Sequence, residues 1–375
     1  MAVFTPLQEL CVKAVAARFE SNPSVIASLP TTCTPQVLRL LGTDVPLELA
    51  VPLLSCESYW RRRARVKWSL AAVETGGSWK QLYLERNLAE ALEAFDGESA
   101  GEERLLALLR CTGGHVRALA LHQLPLHLDL AALFQHLPGL TSLALVYGRR
   151  AVGVDYERAL FGMRLAACRA LAQALPSAPG LARLDLSGNL LEDDKARLLA
   201  DGLARSRVTH LSLAHNRIGD RGAKALAQLL EEPNTLEELV LDNNQILAPG
   251  GRALARALRG NPVLASLQLQ LNRVGDEGAC ALAEALLGNS RLQRLGLGAN
   301  RLGFQAAAAF SWMLRSNSSL LALDVSCNPL TAAGGEELRS ALQHNMGLLG
   351  LEMRHSQVSE EAEQAILMEL RRRQR

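Results

Sequence analysis

One nine-residue pattern, L-x-x-L-x-L-x-x-N, constrains the fold of this chain more than any other feature. It recurs six times, with occasional valine in place of leucine, and its final asparagines stand 27, 28, 28, 28 and 28 residues apart. These asparagines are Asn189, Asn216, Asn244, Asn272, Asn300 and Asn328. A seventh copy, LLGLEMRHS, puts Ser356 at the next position. The fixed period predicts stacked, equivalent units, because one unit of this length cannot bury its own apolar face.

Each unit joins a strand pattern to a helix pattern. In LQLQLNRVGDEGACALAEALLGN, the alternating leucines predict a short strand with one buried side. Leu282 and Leu286 stand ten and fourteen residues after Asn272, and a spacing of four places both on one helix face. We expect Asn272 and the other five asparagines to hydrogen-bond backbone groups that the turn leaves unpaired, so we interpret them as a structural ladder.

Two further positions recur where each helix pattern begins. Asp220 and Asp276, in IGDRGA and VGDEGA, are predicted to cap the N-termini of their own helices. Glycines recur six residues after the asparagine, where we expect the helix to lie close to its neighbour; they are Gly222, Gly250, Gly278 and Gly334.

The pattern resembles the long, helix-bearing leucine-rich repeat of the ribonuclease inhibitor, the Ran GTPase-activating protein and innate immune receptors. This resemblance implies an α/β fold, a right-handed leucine-rich-repeat solenoid. Its parallel sheet would form the concave face and its helices the convex face. The same scaffold serves many partners, so the fold alone does not define a function.

The repeat pattern divides the chain into three parts. We predict an all-α N-terminal domain over 1–98, a linker and capping helix over 99–115, and a leucine-rich-repeat domain over 116–375. The last part would contain about nine strands, with regular 28-residue repeats from 181. An insertion near 148–162 interrupts it, either as a surface excursion or as a functional loop.

The N-terminal domain contains three of the four tryptophans. The order SLP, YWRR and SWKQLYLER is similar to F-box and elongin-A-like adaptor domains. Trp60, Trp68 and Trp79 then either pack the domain or retain an adaptor-binding surface. The basic run over 61–67 is either a solvated helix face or a contact for an acidic surface such as tubulin tails. The candidate N-terminal contacts are Trp60, Arg61, Arg62 and Arg63.

The composition and motifs argue against most catalytic classes. A formal net charge of +2 over 375 residues gives no global attraction for nucleic acid. The seven cysteines are widely spaced without a C-x-x-C motif, so we expect reduced thiols inside the cell and no zinc site. The sequence has no nucleotide-binding glycine loop, no H-E-x-x-H and no G-x-S-x-G. No uncharged apolar run reaches membrane-spanning length. We therefore expect no catalytic residues, no cofactor, no metal, no nucleic-acid partner and no membrane partner.

The open face of the predicted sheet is the better candidate for a functional surface. Its residues are mixed in charge and poor in aromatics, which disfavours a nucleic-acid groove. A partner would then bind through charge pairs, or its contacts would lie on the helices and the ends. The candidate contacts are Arg183, Asp185, His210, Glu238, Asp242, Gln268, Gln270, Arg294, Asp324, Glu352 and Arg354.

A closer resemblance runs from about Tyr59 to Leu370. The motifs SWKQLYLERNLAEALEAF, DDKARLLA and LQLQLNRVGDEGACALAEAL, in this order, are similar to leucine-rich-repeat subunits of the nexin–dynein regulatory complex. This resemblance implies a non-enzymatic scaffold in the cytoplasm and cytoskeleton, at the axoneme of cilia and flagella. It would help to link doublet microtubules and regulate dynein-driven motility. Its partners would be the coiled-coil and leucine-rich-repeat subunits of that complex, with doublet microtubules as a further candidate.

Two alternatives remain open at the level of sequence. The first is a ubiquitin-ligase substrate receptor, which joins an adaptor-like N-terminal domain to a leucine-rich-repeat reader. The second is a Ran-type GTPase-activating protein, an enzyme on the same solenoid. The second alternative has less support, because such proteins tend to have an acidic C-terminal tract where this sequence reads LRRRQR.

Overall fold

The computed structural model describes residues 7–69, 77–95, 99–124, 128–148 and 161–373. The chain divides into two compact units, one of residues 1–121 with 136–140 and the other of 122–135 with 141–375. Most of the predicted insertion, residues 149–160, lies outside the described residues. The residues on either side of this segment, Gly148 and Phe161, pair in an antiparallel bridge.

The first unit is helical up to its last segment. It contains α1 (Leu7–Ala17), α2 (Val25–Ser28), α3 (Thr34–Leu40), α4 (Leu47–Leu53), α5 (Glu57–Trp68), α6 (Trp79–Glu93), α7 (Ser99–Thr112), a 3₁₀ turn (Gly113–His115) and strand β1 (Ala118–Leu121). Tyr59, Trp60, Tyr83 and Leu84 lie in one buried cluster with apolar side chains of α4. The Tyr59 and Trp60 rings meet edge to face, with centroids 5.4 Å apart, a geometry that aromatic pairs favour.

The second unit alternates helices and strands. After α8 (Leu130–His136), its elements are β2 (Ser142–Leu145), α9 (Leu165–Ala174), β3 (Arg183–Asp185), α10 (Asp193–Leu203), β4 (His210–Ser212), α11 (Asp220–Glu231), β5 (Glu238–Val240), α12 (Ala248–Gly260), β6 (Ser266–Gln268), α13 (Gly275–Leu286), β7 (Arg294–Gly296), α14 (Phe304–Leu314), β8 (Ala322–Asp324), α15 (Thr331–Leu342), β9 (Gly350–Glu352) and α16 (Glu360–Arg373).

The strands of the second unit pair in chain order. From β2 to β9 every pair is parallel, and equivalent repeat positions face each other, as Leu239 faces Leu267. Leu239, Leu267 and Leu282 are each 0% exposed, so the strand leucines and the helix leucines share one core. The predicted leucine-rich-repeat solenoid with a parallel sheet and helices is confirmed.

Adjacent helices approach closely at the recurring glycines. A Cβ built on Gly222 would lie 2.8 Å from the Asp193 carboxylate and 3.2 Å from the Ala196 Cβ of the preceding helix. A Cβ built on Gly334 would lie 2.8 Å from the Ala307 Cβ. These distances are shorter than ordinary van der Waals contacts, so a side chain at either position would push neighbouring repeats apart.

The helix caps differ from the sequence prediction. Asp220 is the first residue of α11, and its Oδ1 accepts the N–H groups of Leu247 and Gly250 at 2.8 and 2.9 Å. Both donors lie at the start of the next helix, α12. Asp276 accepts from Gly303 at 2.6 Å in the same way. The prediction that Asp220 and Asp276 cap their own helices is therefore wrong. Each carboxylate instead satisfies unpaired N–H groups and the positive dipole end of the following helix.

Candidate functional site

The six repeat asparagines lie at the turn between each strand and its helix. The amide of Asn272 donates to the carbonyls of Leu241 and Leu269 at 2.9 and 3.0 Å, and its Oδ1 accepts the N–H of Ile246 at 3.0 Å. Leu241 and Ile246 belong to the preceding repeat. The same donor pattern occurs at Asn189, Asn216, Asn244, Asn300 and Asn328. All six asparagines are buried, so the ladder joins one repeat to the next and offers no surface to a partner.

A second asparagine ladder lies at the opposite turn, between each helix and the next strand. Asn289 donates to the carbonyls of Leu258 and Asn261 at 2.6 and 3.1 Å, and its Oδ1 accepts the N–H groups of Arg291 and Leu292, each at 2.8 Å. The other members are Asn261, Asn317 and Asn345, all buried. Sequence reasoning missed this ladder, although its 28-residue spacing is visible in the printed sequence.

The predicted sheet-face residues occupy the outward positions of the strands. One row crosses equivalent positions from Arg183 to His210, Glu238, Ser266 and Arg294. Within this row the Glu238 carboxylate lies 3.8 Å from His210 Nε2 and 3.8 Å from an Arg294 guanidinium nitrogen. These three side chains therefore form one charge group, which is half-buried at His210 and Glu238 and exposed at Arg294. Asp185 lies apart from it, with its carboxylate 2.9 Å from the backbone nitrogen of Ser187.

Further along the face, Asp242 lies beside the two predicted glutamines. Its Oδ1 accepts the N–H of Gln270 at 2.8 Å. The side-chain amide of Gln270 lies within hydrogen-bond distance of both the Asp242 carboxylate and the Gln268 amide. The side chains of Gln268 and Gln270 lie over Gly296, which has no side chain. A Cβ at Gly296 would overlap both.

The last strands and the C-terminal helix enclose a groove of about 380 Å³. Four predicted face residues line it, namely Gln268, Arg294, Asp324 and Glu352, together with Leu367 and Arg371 of α16. Arg354 lies at its edge and pairs with Glu352 at 2.8 Å. The structure therefore brings these charges to one end of the sheet face.

The helix side of the solenoid carries an exposed apolar patch that sequence reasoning missed. Trp312 is 62% exposed and Phe304 is 45% exposed, both on α14. Trp312 stands 28 residues from Glu284 on one side and from Ser340 on the other. Trp312 therefore stands at a position where the neighbouring repeats carry polar residues. Alignment of the repeats by their 28-residue period would have revealed this difference.

In the first unit, the structure places the side chains of Trp60 and Arg63 in the core. Trp60 is 0% exposed and donates from Nε1 to the Leu54 carbonyl at 2.8 Å. Arg63 is 8% exposed and donates to the Val45 carbonyl at 2.7 Å. Both side chains are enclosed by the core, so neither can meet a partner in this conformation.

Arg61 and Arg62, which precede Arg63 on α5, have different environments. Arg62 donates to the carbonyls at the end of α3, including that of Leu38 at 3.1 Å, so it connects two helices. Arg61 is exposed, with its guanidinium 5.6 Å from the centre of the Trp79 ring. Of the four predicted N-terminal contacts, Arg61 is the most exposed to solvent, and Arg62 is partly exposed.

Three features of the described residues bear on the sequence expectations, namely possible metal ligands, the buried thiol and the helices. Within them, no group of three or more His, Cys, Asp or Glu side chains is arranged to hold a metal ion. Cys168 is buried, and this burial raises the pKa of its thiol to about 11, which keeps it protonated and poorly nucleophilic at neutral pH. None of the helices in the described part of the chain has the length and apolar character needed to span a membrane.

One family model matches the repeat region. A leucine-rich-repeat family model matches residues 208–227, 232–255, 260–283 and 316–338. Among solved structures, an internalin from Listeria monocytogenes is 18% identical, with a TM-score of 0.38, over 68% of this chain and 66% of that chain.

Comparison with whole proteins gives relatives that share one name. Over 198 residues the chain is 45% identical to dynein regulatory complex subunit 5 of Chlamydomonas reinhardtii, covering 52% of this chain and 50% of that protein. The protein of the same name from Mus musculus is 34% identical over 258 residues, covering 61% of this chain and 52% of its own length. The chain thus spans about half the length of the curated relatives it matches. The solenoid is therefore built of leucine-rich repeats, and more than half of the chain is similar to dynein regulatory complex subunit 5.

Proposed function

We propose that the chain is a non-enzymatic scaffold subunit of the nexin–dynein regulatory complex at the axoneme of cilia and flagella. The identity of 45% over 198 residues to the Chlamydomonas dynein regulatory complex subunit carries this proposal. In this role the solenoid docks other subunits, helps to link doublet microtubules and so regulates dynein-driven motility. The stacked repeats suit this task, because they hold a row of side chains at fixed spacing on a rigid sheet.

The sheet face is the proposed docking surface. It presents the Glu238 charge group and the groove below α16 on neighbouring strands, and polar side chains of this kind favour charge-paired binding. The candidate contacts remain Arg183, Asp185, His210, Glu238, Asp242, Gln268, Gln270, Arg294, Asp324, Glu352 and Arg354. The Trp312 patch on the helix side and the exposed Arg61 of the first unit offer second contact points.

Crosslinking mass spectrometry on tagged protein from isolated axonemes tests the proposal. We expect the chain to remain with the axoneme and to crosslink to other subunits of the regulatory complex. Absence from axonemes would overturn the proposal. Crosslinks between the first unit and a Skp1- or elongin-type adaptor would favour the ubiquitin-ligase alternative instead.

A pair of charge exchanges tests which face docks. The double variant Glu238→Arg with Arg294→Glu exchanges two charges on the sheet face and preserves net charge. The matched control, Arg259→Glu with Glu284→Arg, exchanges an exposed ion pair on the helix side, where the charged atoms are 3.0 Å apart. We expect the first variant to lose about tenfold or more of its complex association and the second to keep it. The reverse result would assign docking to the helix side.

A further inference from the structure

Asp242 and Asp324, on the sheet face, form no ion pair with a described residue, although the charges of His215 and Arg354 lie close enough to act on them. Glu238 and Glu352 both have ion-pair partners, as described above. Among the described residues, neither Asp242 nor Asp324 has a Lys, Arg or His nitrogen within 4.0 Å. Across the outward positions of β5 to β8 and the residue that follows each strand on the same side, three carboxylates therefore stand against the single cation Arg294. This part of the face is acidic although the whole chain is nearly neutral.

The backbone of Gly298 lies between the side chains of Asp324 and Gln270. A Cβ built on Gly298 would lie 3.0 Å from Ser326 Oγ and 3.4 Å from both Asp324 Oδ2 and Gln270 Cγ. Gln270 in turn bonds Asp242 through its backbone nitrogen at 2.8 Å. Asp324 and Gln270 thus reach over the bare glycine backbone from opposite sides, with Asp242 beyond Gln270.

Burial has the largest effect on the pKa of Asp242, and charges of both signs act on it. Burial raises the pKa of the Asp242 carboxyl, and the negative charge of Asp324 raises it further. The N–H of Gln270 and the charge of His215 act in the other direction. A cation placed between the two carboxylates would offset both the lost hydration and the mutual repulsion.

An exposed leucine adjoins Gly298. Leu271 is 54% exposed, and its backbone nitrogen donates to the Gly298 carbonyl at 2.8 Å. Its backbone is left-handed, with φ of 56°, which is an uncommon conformation for a branched side chain. The equivalent positions one repeat away carry Asn243 and Ala299, so the turn itself does not require an apolar side chain.

We propose that Asp242, Gln270, Leu271, Gly298 and Asp324 form a docking patch for a basic segment of a protein partner. A Lys or Arg side chain of that segment lies over Gly298 between Asp242 and Asp324, and a neighbouring apolar side chain covers Leu271. Charge complementarity selects this occupant, because an acidic segment or a phosphate group would be repelled. The inference rests on the proposed docking role of the sheet face and gives the chemistry of the partner.

Fluorescence anisotropy on the full chain tests the patch directly. The probe is a labelled peptide that repeats Gly-Arg-Leu-Gly, and the comparison peptide repeats Gly-Glu-Leu-Gly. We expect the basic peptide alone to bind, with an affinity that falls as salt is added. The double variant Asp242→Asn with Asp324→Asn should bind it about tenfold more weakly. Asparagine keeps an acceptor oxygen for the Gln270 and Ser326 N–H groups, so the fold is preserved.

Two further variants separate the patch from general charge effects. Leu271→Asn, which places the residue of the preceding repeat at this turn, should weaken binding of the same peptide. Asp185→Asn removes a carboxylate from the same sheet two strands away from β5 and should leave binding within about twofold. Equal binding by the Asp242/Asp324 double variant, or an equal loss in Asp185→Asn, would overturn the proposal.

Co-purification of the same variants with the regulatory complex distinguishes this inference from the proposed function. If the wild-type chain and the Asp242/Asp324 variant join the complex equally well, the inference alone is overturned. Peptide binding through the patch by a chain that is absent from axonemes supports the inference and overturns the proposed function.

Discussion

The Asp220 carboxylate accepts the backbone N–H of Gly250 at 2.9 Å, although the two residues lie in neighbouring repeats. The first turn of α12 therefore depends on a side chain from α11. A repeat cut away from its predecessor would lose this cap together with its apolar contacts. Local capping rules predict that the acceptor lies at the N-terminus of the same helix. In the stacked solenoid the acceptor instead belongs to the preceding repeat.

Replacement of Asp220 by alanine tests this cap. We expect Asp220→Ala to lower the free energy of unfolding by about 1–2 kcal/mol, because two N–H groups of the next helix lose their acceptor. Asp220→Asn should retain most of the stability, since its Oδ1 can still accept. Urea unfolding followed by circular dichroism gives the values. Asp201→Ala, at an exposed position of α10, is the control, and a loss in the control as large as that in Asp220→Ala would contradict the cap.

We expect the two asparagine ladders, at opposite turns of the repeat, to contribute similarly to the free energy of unfolding. Asn272→Ala and Asn289→Ala should each lower the free energy of unfolding by about 1–3 kcal/mol, because each leaves buried backbone groups without a partner. Gln245→Ala removes an exposed amide and should be close to neutral. A neutral result for Asn289→Ala would show that the second ladder does not contribute to stability.

Much of the solenoid could be predicted from the sequence, because the position of Leu282 in its repeat fixes both its helix face and its burial. The environments of Trp60 and Arg63 could not be predicted in the same way. Arg63 donates to the Val45 carbonyl, 18 residues away, and its side chain is held by aromatic rings of α5 and α6. A repeat pattern contains no information about such contacts. The basic run over 61–67 suggests a solvated face or a partner site, but some of its side chains lie at the surface and Arg63 lies in the core.

The candidate sheet-face residues were predictable as positions but not as a site. Strand alternation places Asp242 and Asp324 on the same open face. Their arrangement depends on Gly298, where the missing side chain lets Asp324 and Gln270 approach the same backbone. The side-chain conformations that bring these groups together are not contained in a strand pattern.

Two helix glycines should respond oppositely to alanine. A Cβ on Gly202 would lie 2.5 Å from the Ala172 carbonyl oxygen and 2.7 Å from the Ala172 Cα, so Gly202→Ala must separate α9 from α10. We expect a loss of about 1–3 kcal/mol in the free energy of unfolding. Gly260, the last residue of α12, has nothing within 4 Å of the same position, so Gly260→Ala should be neutral or stabilising by up to about 1 kcal/mol. Chemical denaturation of both variants is the measurement, and equal effects would mean that the α9–α10 contact is looser than the structure has it.

The buried thiol of Cys168 predicts an alkaline loss of stability. Its pKa is raised from 9.0 to about 11 by burial, against a smaller lowering effect of Lys195. A group whose pKa is higher in the folded state stabilises the fold fully below its unfolded pKa and loses that contribution as the pH rises through the folded pKa. The contribution of Cys168 should therefore fall between about pH 9 and pH 11, by an amount on the order of 2 kcal/mol.

Comparison with Cys168→Ala isolates this effect from other groups that titrate in the same range. The alanine variant loses packing at every pH, so its offset from the wild type at pH 8 reflects the cavity. From pH 9 to pH 11 the wild type should lose stability faster than the variant, and the two curves should converge. Thermal unfolding at closely spaced pH values gives the two curves. Parallel curves over this range would mean that the thiol has the same pKa in the folded and unfolded chains, and that water reaches the interior between α9 and the following repeat.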